Sequence, residues 1–195
     1  RRRMMKMERL LNPGRLLYAA VVLAQRVLPD RYRNDFTDWL GRLTAPNFDW
    51  PPDAMARSAQ APLISEYQRR GYRLKCYGSL RTEYKIGKND DYLCWSLIKS
   101  AYDNIPARMV TFFFAKEELT FVRLEFPESS FDRLQDYLRR RLADKPRIDQ
   151  IPGQRIGTDV FGKPLMVWLA PDGLVTTSAE STPEQPITLL WSRSP

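Results

Sequence analysis

The stretch from Met109 to Ala143 constrains the fold most, because strand, turn and helix signals follow one another there without a gap. Met109-Val-Thr-Phe-Phe-Phe114 is dense in β-branched and aromatic side chains, which favour a pleated, half-buried backbone. Ala115-Lys-Glu-Glu118 is a polar break, and Leu119 to Phe126 resumes the pattern, so the pair predicts a β-hairpin. In its second strand Val122, Leu124 and Phe126 share one face and Arg123 and Glu125 the other, the period-2 signature of a sheet with one buried side. A helix over 129–143 is expected to cover that side. Pro127 stops the strand, Ser129 with Asp132 three residues on imitates a capping box, and Phe131, Leu134, Leu138 and Leu142 keep one apolar stripe. Arg139, Arg140 and Arg141 suit the negative end of the helix dipole, and Pro146 forbids continuation.

The rest of the chain adds strands around this unit. Pro62 to Arg70 reads as a short helix with Gly71 just past its end. Tyr72–Tyr77 alternates as a strand, Gly78–Asp91 is polar, and Tyr92–Ile98 is an apolar run whose aromatics and shortness favour strand over helix. Pro171-Asp172-Gly173 is a turn sequence between Pro164–Ala170 and Leu174–Thr177, with glycine expected to take a positive φ, and Ile187–Ser192 supplies a last strand. The short turns imply antiparallel pairing. The fold class is therefore α+β: an antiparallel sheet of about five or six strands with one long helix on a face, plus an N-terminal helical segment.

Charge and composition narrow the chemistry. The net charge is +8, but residues 1–15 hold six basic side chains against Glu8, leaving +3 for the other 180. Histidine is absent, which removes the commonest general base and metal ligand, and two cysteines cannot build a zinc cluster. No catalytic residue, metal site or cofactor is assigned. Two carboxylate pairs, Asp90 with Asp91 and Glu117 with Glu118, are candidate acid/base groups; both lie in expected turns, where solvated charge is the simpler reading.

Three segments organise the chain: 1–28, 29–62 and 63–195. In the first, the basic start leads into Leu16–Ala24, too short to span a bilayer but suited to a signal-peptide core, with Val22-Leu-Ala24 as a cleavage site. An amphipathic helix packed on the domain, or an uncleaved membrane anchor, are the other readings of the same residues. In the second, Asn34–Leu43 spaces Phe36, Trp39, Leu40 and Leu43 as one helix face, and 45–62 carries Pro46, Pro51, Pro52 and Pro62 as a linker composition. Phe48 and Trp50 inside that linker are candidate partner contacts along with Trp39, against the plainer reading that they are buried on the domain.

Cys76 and Cys94 lie on two neighbouring expected strands, with 17 residues between them. In an exported chain they would form a disulfide; in a cytoplasmic one they would be buried thiols. Together with Ile105-Pro-Ala107, Val110–Phe114, Glu118-Leu119, Val122-Arg123, Phe131-Asp132, Leu138, Trp168, Asp172-Gly173 and Leu190-Trp-Ser192, these cysteines give the region 72–192 a resemblance to a loose group of small uncharacterised exported bacterial proteins. In that group a two-cysteine β-rich start leads to a hairpin, a covering helix and a final meander. The chain differs in its aromatic N-terminal segment and in carrying Asp144-Lys-Pro146 where the group has Gly-X-Pro. The resemblance implies a periplasmic α+β domain and no activity.

The functional expectation is a non-enzymatic exported domain that binds a protein or envelope component, through the sheet face left open by the central helix or through the N-terminal aromatics, with peripheral membrane association also open. The rival is a cytoplasmic module binding nucleic acid or an acidic partner through Arg69, Arg70, Arg73, Arg139, Arg140 and Arg141, interleaved with Tyr67, Tyr72 and Tyr77. The modest charge outside the N-terminus disfavours it.

Overall fold

Among the described residues, ten strands and two α-helices follow Ala45. The computed structural model describes Gly41 and residues 43–78, 91–152, 157–159, 162–183 and 185–194. The chain divides into two units, Arg1–Thr44 and Ala45–Pro195. The expected segment 1–28 and residues 29–40 and 42, with Trp39 and the signal-like stretch, lie outside the described residues. Residues 45–62, expected as a linker, belong to the folded unit, because Phe48 and Met55 are core side chains.

In chain order the elements are β1 (Asn47–Phe48), α1 (Gln60–Arg69), β2 (Lys75–Tyr77), β3 (Asp91–Leu97), β4 (Ser100–Ala101), β5 (Ile105–Pro106), β6 (Met109–Ala115), β7 (Glu118–Phe126), α2 (Phe131–Arg141), β8 (Leu165–Ala170), β9 (Gly173–Ser178) and β10 (Ile187–Arg193). Seven strands form one sheet in the order β2-β3-β6-β7-β10-β9-β8, every neighbour antiparallel, and β1, β4 and β5 form a small second sheet. The sheet thus has seven strands rather than five or six.

The hairpin β6–β7 is its centre. Lys116 and Glu117 both have positive φ, 51° and 62°, the geometry a two-residue hairpin loop needs to match strand twist. Neither is the Asn or Gly that normally takes it. The loop is held from outside: its Glu117 carbonyl accepts the first helical N–H of α1, from Gln60 at 2.9 Å, and Leu119 N–H donates to Ser58 O at 2.8 Å.

Helix α1 ends as its sequence requires. Gly71 sits at φ 87°, its N–H donates to Gln68 O at 3.1 Å, and Tyr72 N–H donates to Tyr67 O at 3.0 Å, which together make a Schellman cap. The apolar contact that accompanies such a cap is Tyr67 against Tyr72, edge to face at 4.8 Å. Helix α2 begins differently from expectation. Residues Glu128–Ser130 wind as a 3₁₀ turn and no side chain caps the helix; the Ser130 hydroxyl donates instead to Pro106 O at 2.7 Å. The capping box of Ser129 and Asp132 does not form, because the 3₁₀ turn moves the helix start two residues on.

The turn between β8 and β9 corrects the expected glycine role. Gly173 has no positive φ; it pairs with Arg193 of β10, and a Cβ there would lie 2.2 Å from Ser192 O and 2.8 Å from the Trp191 indole nitrogen. Glycine is needed for close approach of strands, not for turn geometry.

Both helices pack on one face. The row Cys76–Cys94–Phe112–Val122–Trp191–Val175–Trp168 crosses all seven strands on that face, and from Cys94 to Trp168 none is more than 3% exposed. Tyr67 of α1 meets Phe112 at 4.8 Å, Phe48 meets Phe112 at 6.2 Å and Tyr102 at 6.4 Å, and Tyr102 stacks on Tyr137 of α2 at 4.5 Å. Leu134, Leu138 and Leu142 complete the layer. The edge at β8 is covered by residues 146–149, where Ile148 N–H donates to Val167 O and Leu169 N–H to Pro146 O.

Candidate functional site

The opposite face of the same sheet defines the site. Shifting the core row by one residue gives Tyr77–Leu93–Phe113–Phe121–Ser192–Leu174–Leu169, again across all seven strands. At the usual inter-strand spacing this row runs about 29 Å. Six of its seven side chains are apolar. Tyr77, Phe121 and Leu169 are 47%, 42% and 43% exposed, and the remaining four are half-buried. Phe113 and Phe121 meet edge to face at 6.3 Å. Neither helix covers them.

The next row on this face, Lys75–Trp95–Thr111–Arg123–Leu190–Thr176–Val167, mixes aromatic, hydroxyl and charged groups. The Lys75 ammonium lies 4.9 Å over the Trp95 ring, and Arg123 pairs with Glu125. A bulge after Phe113 leaves Thr120 out of register, its hydroxyl donating to Phe113 O at 3.0 Å. Without it, Phe121 would not oppose Phe113 while Leu119 turns to the core.

The other candidate residues fall elsewhere. Phe48 is fully buried beneath α1 and cannot touch a partner; Trp50 packs on Tyr67 at 6.5 Å and donates its indole N–H to Ala54 O. Cys76 and Cys94 form a disulfide, S–S 2.06 Å, joining edge strand β2 to β3. Sulfur pairing here follows from register, since the two residues face each other directly across the ladder.

Three of the six candidate arginines are matched by carboxylates. Arg70 pairs with Asp49 and lies over the Tyr67 ring at 5.1 Å; Arg141 donates to Asp53 at 2.7 Å, and Arg140 to Asp103 at 3.3 Å. Asp49 and Asp53, two carboxylates between β1 and α1, therefore link the ends of both helices. Hydrogen bonding to those carboxylates raises the pKa of Arg70 and Arg141 further. Arg69, Arg73 and Arg139 are exposed. The unit 45–195 carries only +2, because six of the eight net charges fall in 1–44.

Of the carboxylate pairs, Asp90 lies outside the described residues and Asp91 opens β3. Glu118 accepts from Arg57 at 2.6 Å on both oxygens and from Arg193 at 2.8 Å. The Arg57 hydrogen bond, then the one from Arg193, holds its pKa below the usual range, so it is a fixed anion ill suited to take a proton at neutral pH. Burial pushes the Tyr72 and Tyr137 phenols up to about 12 and raises those of Tyr67 and Tyr102 as well. Among the described residues no group of three or more metal-binding side chains occurs, and no helix is long and apolar enough to cross a membrane.

Sequence reasoning anticipated an open face but not its composition. The signal was present in Leu93, Trp95, Phe113, Phe121 and Leu190, which sit between core positions where alternation would put polar residues. Fold and site together define a disulfide-linked α+β domain whose sheet is covered by helices on one face and apolar on the other. Comparisons with family models, with curated proteins and with solved structures find no match to this chain.

Proposed function

We propose that this chain is a non-enzymatic binding domain of an oxidising, extracytoplasmic compartment such as the periplasm, and that a protein or envelope component seats on the open face of its sheet. The observation that carries this reading is the apolar row from Tyr77 to Leu169 on the face that α1 and α2 leave uncovered. Contiguous exposed apolar surface costs solubility, and its usual reason is a partner. The row also includes the aromatics Tyr77, Phe113 and Phe121, which suits recognition by side-chain contact. The disulfide supports the compartment, since such bonds persist where thiols are not kept reduced. Against the rival nucleic-acid reading, Arg70, Arg140 and Arg141 are each matched by a carboxylate, which leaves Arg69, Arg73 and Arg139 of its proposed surface.

The test is a photo-crosslinking amino acid at position 121 in producing cells, combined with thiol alkylation of the same extract. A discrete adduct and unalkylated cysteines are expected. Alkylated cysteines with no adduct at 121 or 169 would overturn the reading.

A further inference from the structure

We propose that the partner on the open face is a second copy of this chain, related by a two-fold axis lying over β7 and parallel to it; this rests on the partner reading above. β7 is the fourth of the seven strands, with β6 and β10 on either side and β3 and β9 beyond them. Such an axis sets β6 of one copy against β10 of the other, and β3 against β9, each pairing occurring twice. Sheets packed face to face stand about 10 Å apart with their side chains interdigitated.

The side chains then meet large against small. Phe113 of β6 faces Ser192 of β10, the one small residue of the open row, which lies between Phe121 and Leu174. In the adjoining row Trp95 of β3 faces Thr176 of β9, and Leu190 of β10 faces Thr111 of β6. Thr111 is 5% exposed, so it lies low on the face beneath the leucine. Phe121, on β7 itself, meets its own copy. A bulky side chain opposite a hollow, three times over and repeated by symmetry, lets two faces interlock at core density. An axis turned across the strands would instead set Phe113 on Phe113 and Ser192 on Ser192, and the match would be lost.

Charge and size also fit a self-contact. A two-fold puts a patch against itself, so a face of one sign repels its copy. The open row has no charged residue, Arg123 beside it pairs with Glu125 on β7, and Lys75 stands at the edge over the Trp95 ring. The axis therefore lays a neutral ion pair over a neutral ion pair. Interfaces between identical subunits are also the more apolar kind, as this row is. About 29 Å across the strands and about 20 Å along them, the face would bury about 1,200 Å² in all between two copies, the lower bound for a specific interface.

The experiment is light scattering of the full chain from about 1 to about 100 µM, with the large and small residues exchanged. The parent should reach twice the chain mass and dissociate on dilution. Ser192→Phe fills the hollow and should weaken association at least about tenfold, and Phe113→Ser, which removes the side chain that enters it, should also weaken it. The exchange Phe113→Ser with Ser192→Phe should return the dissociation constant to within about threefold of the parent, a rescue that misfolding cannot produce. A single chain mass throughout the range, or a double exchange no tighter than Ser192→Phe, would overturn the inference. The photo-crosslinker at position 121 keeps it separate from the partner reading. An adduct at twice the chain mass supports the second copy, and an adduct of any other mass overturns it while the partner reading stands. No adduct at 121 or 169 removes both.

Discussion

The two faces of the sheet are made by the same seven strands, one residue out of phase, and α1 and α2 pack on only one of them. The covered row, Cys76–Cys94–Phe112–Val122–Trp191–Val175–Trp168, is closed by aromatics from α1, β1 and α2. The open row, Tyr77–Leu93–Phe113–Phe121–Ser192–Leu174–Leu169, is nearly as apolar, and neither α1 nor α2 lies over it. What distinguishes them is packing rather than hydrophobicity. A side chain stabilises the fold in proportion to the area it removes from water and the atoms it touches, so the same residue type should matter for stability on one face and for binding on the other.

The largest effect belongs to the covered row. Trp191→Ala or Phe112→Ala empties a site that is 1% exposed, and each should cost about 3–5 kcal/mol in urea unfolding. A loss below about 1 kcal/mol would mean that the face is not the core. Next comes the staple at its end. Replacing Cys76 and Cys94 by serine releases a loop with 17 residues between the bridged positions, and about 3 kcal/mol should be lost on the chain-entropy estimate. Since β2 is a three-residue edge strand, the first amides to lose hydrogen-exchange protection should be those of Lys75–Tyr77.

A smaller effect separates the edge at β8 from both faces. Asp149 accepts from Arg147 at 2.5 and 2.7 Å and from Val167 N–H at 2.9 Å, and the Arg147 hydrogen bonds hold its carboxyl below the usual 3.8. A depressed folded-state pKa contributes stability that is complete above the unfolded value and lost as pH falls through the folded one. Asp149→Asn should therefore unfold more easily than the parent at neutral pH, and the two should converge in acid. Parallel curves down to the lowest pH would remove this linkage. The smallest effect is on the open row, where Phe121→Ala should change unfolding by no more than about 0.5 kcal/mol. A cost comparable to Phe112→Ala would erase the contrast between the faces.

Much of this was legible in the chain. The hairpin, the covering helix, the strand over Tyr92–Ile98 and the final strand follow from period-2 and helical spacing, since those patterns report burial directly. Legibility failed where the determinant was long-range. Pro46 to Pro62 has linker composition, yet Phe48 enters the core because Tyr67, Tyr102 and Phe112 converge on it from three other segments. The arginines at the helix ends read as a basic patch because Asp49, Asp53 and Asp103 are distant in sequence. Ser129 and Asp132 match a cap pattern that the 3₁₀ turn displaces. At the site, the open apolar row could be read by counting strand positions.

The central claim is that one face holds the fold and the other meets a partner, and a single variant tests both halves. Phe121→Glu with Leu169→Glu would be measured for melting temperature and for the adduct formed by a photo-crosslinker at Leu174, between them on the same row. The account predicts a melting temperature within about 4 °C of the parent, the shift expected for at most about 1 kcal/mol, and loss of the adduct. A collapse of the fold, or an adduct that survives both charges, would contradict it.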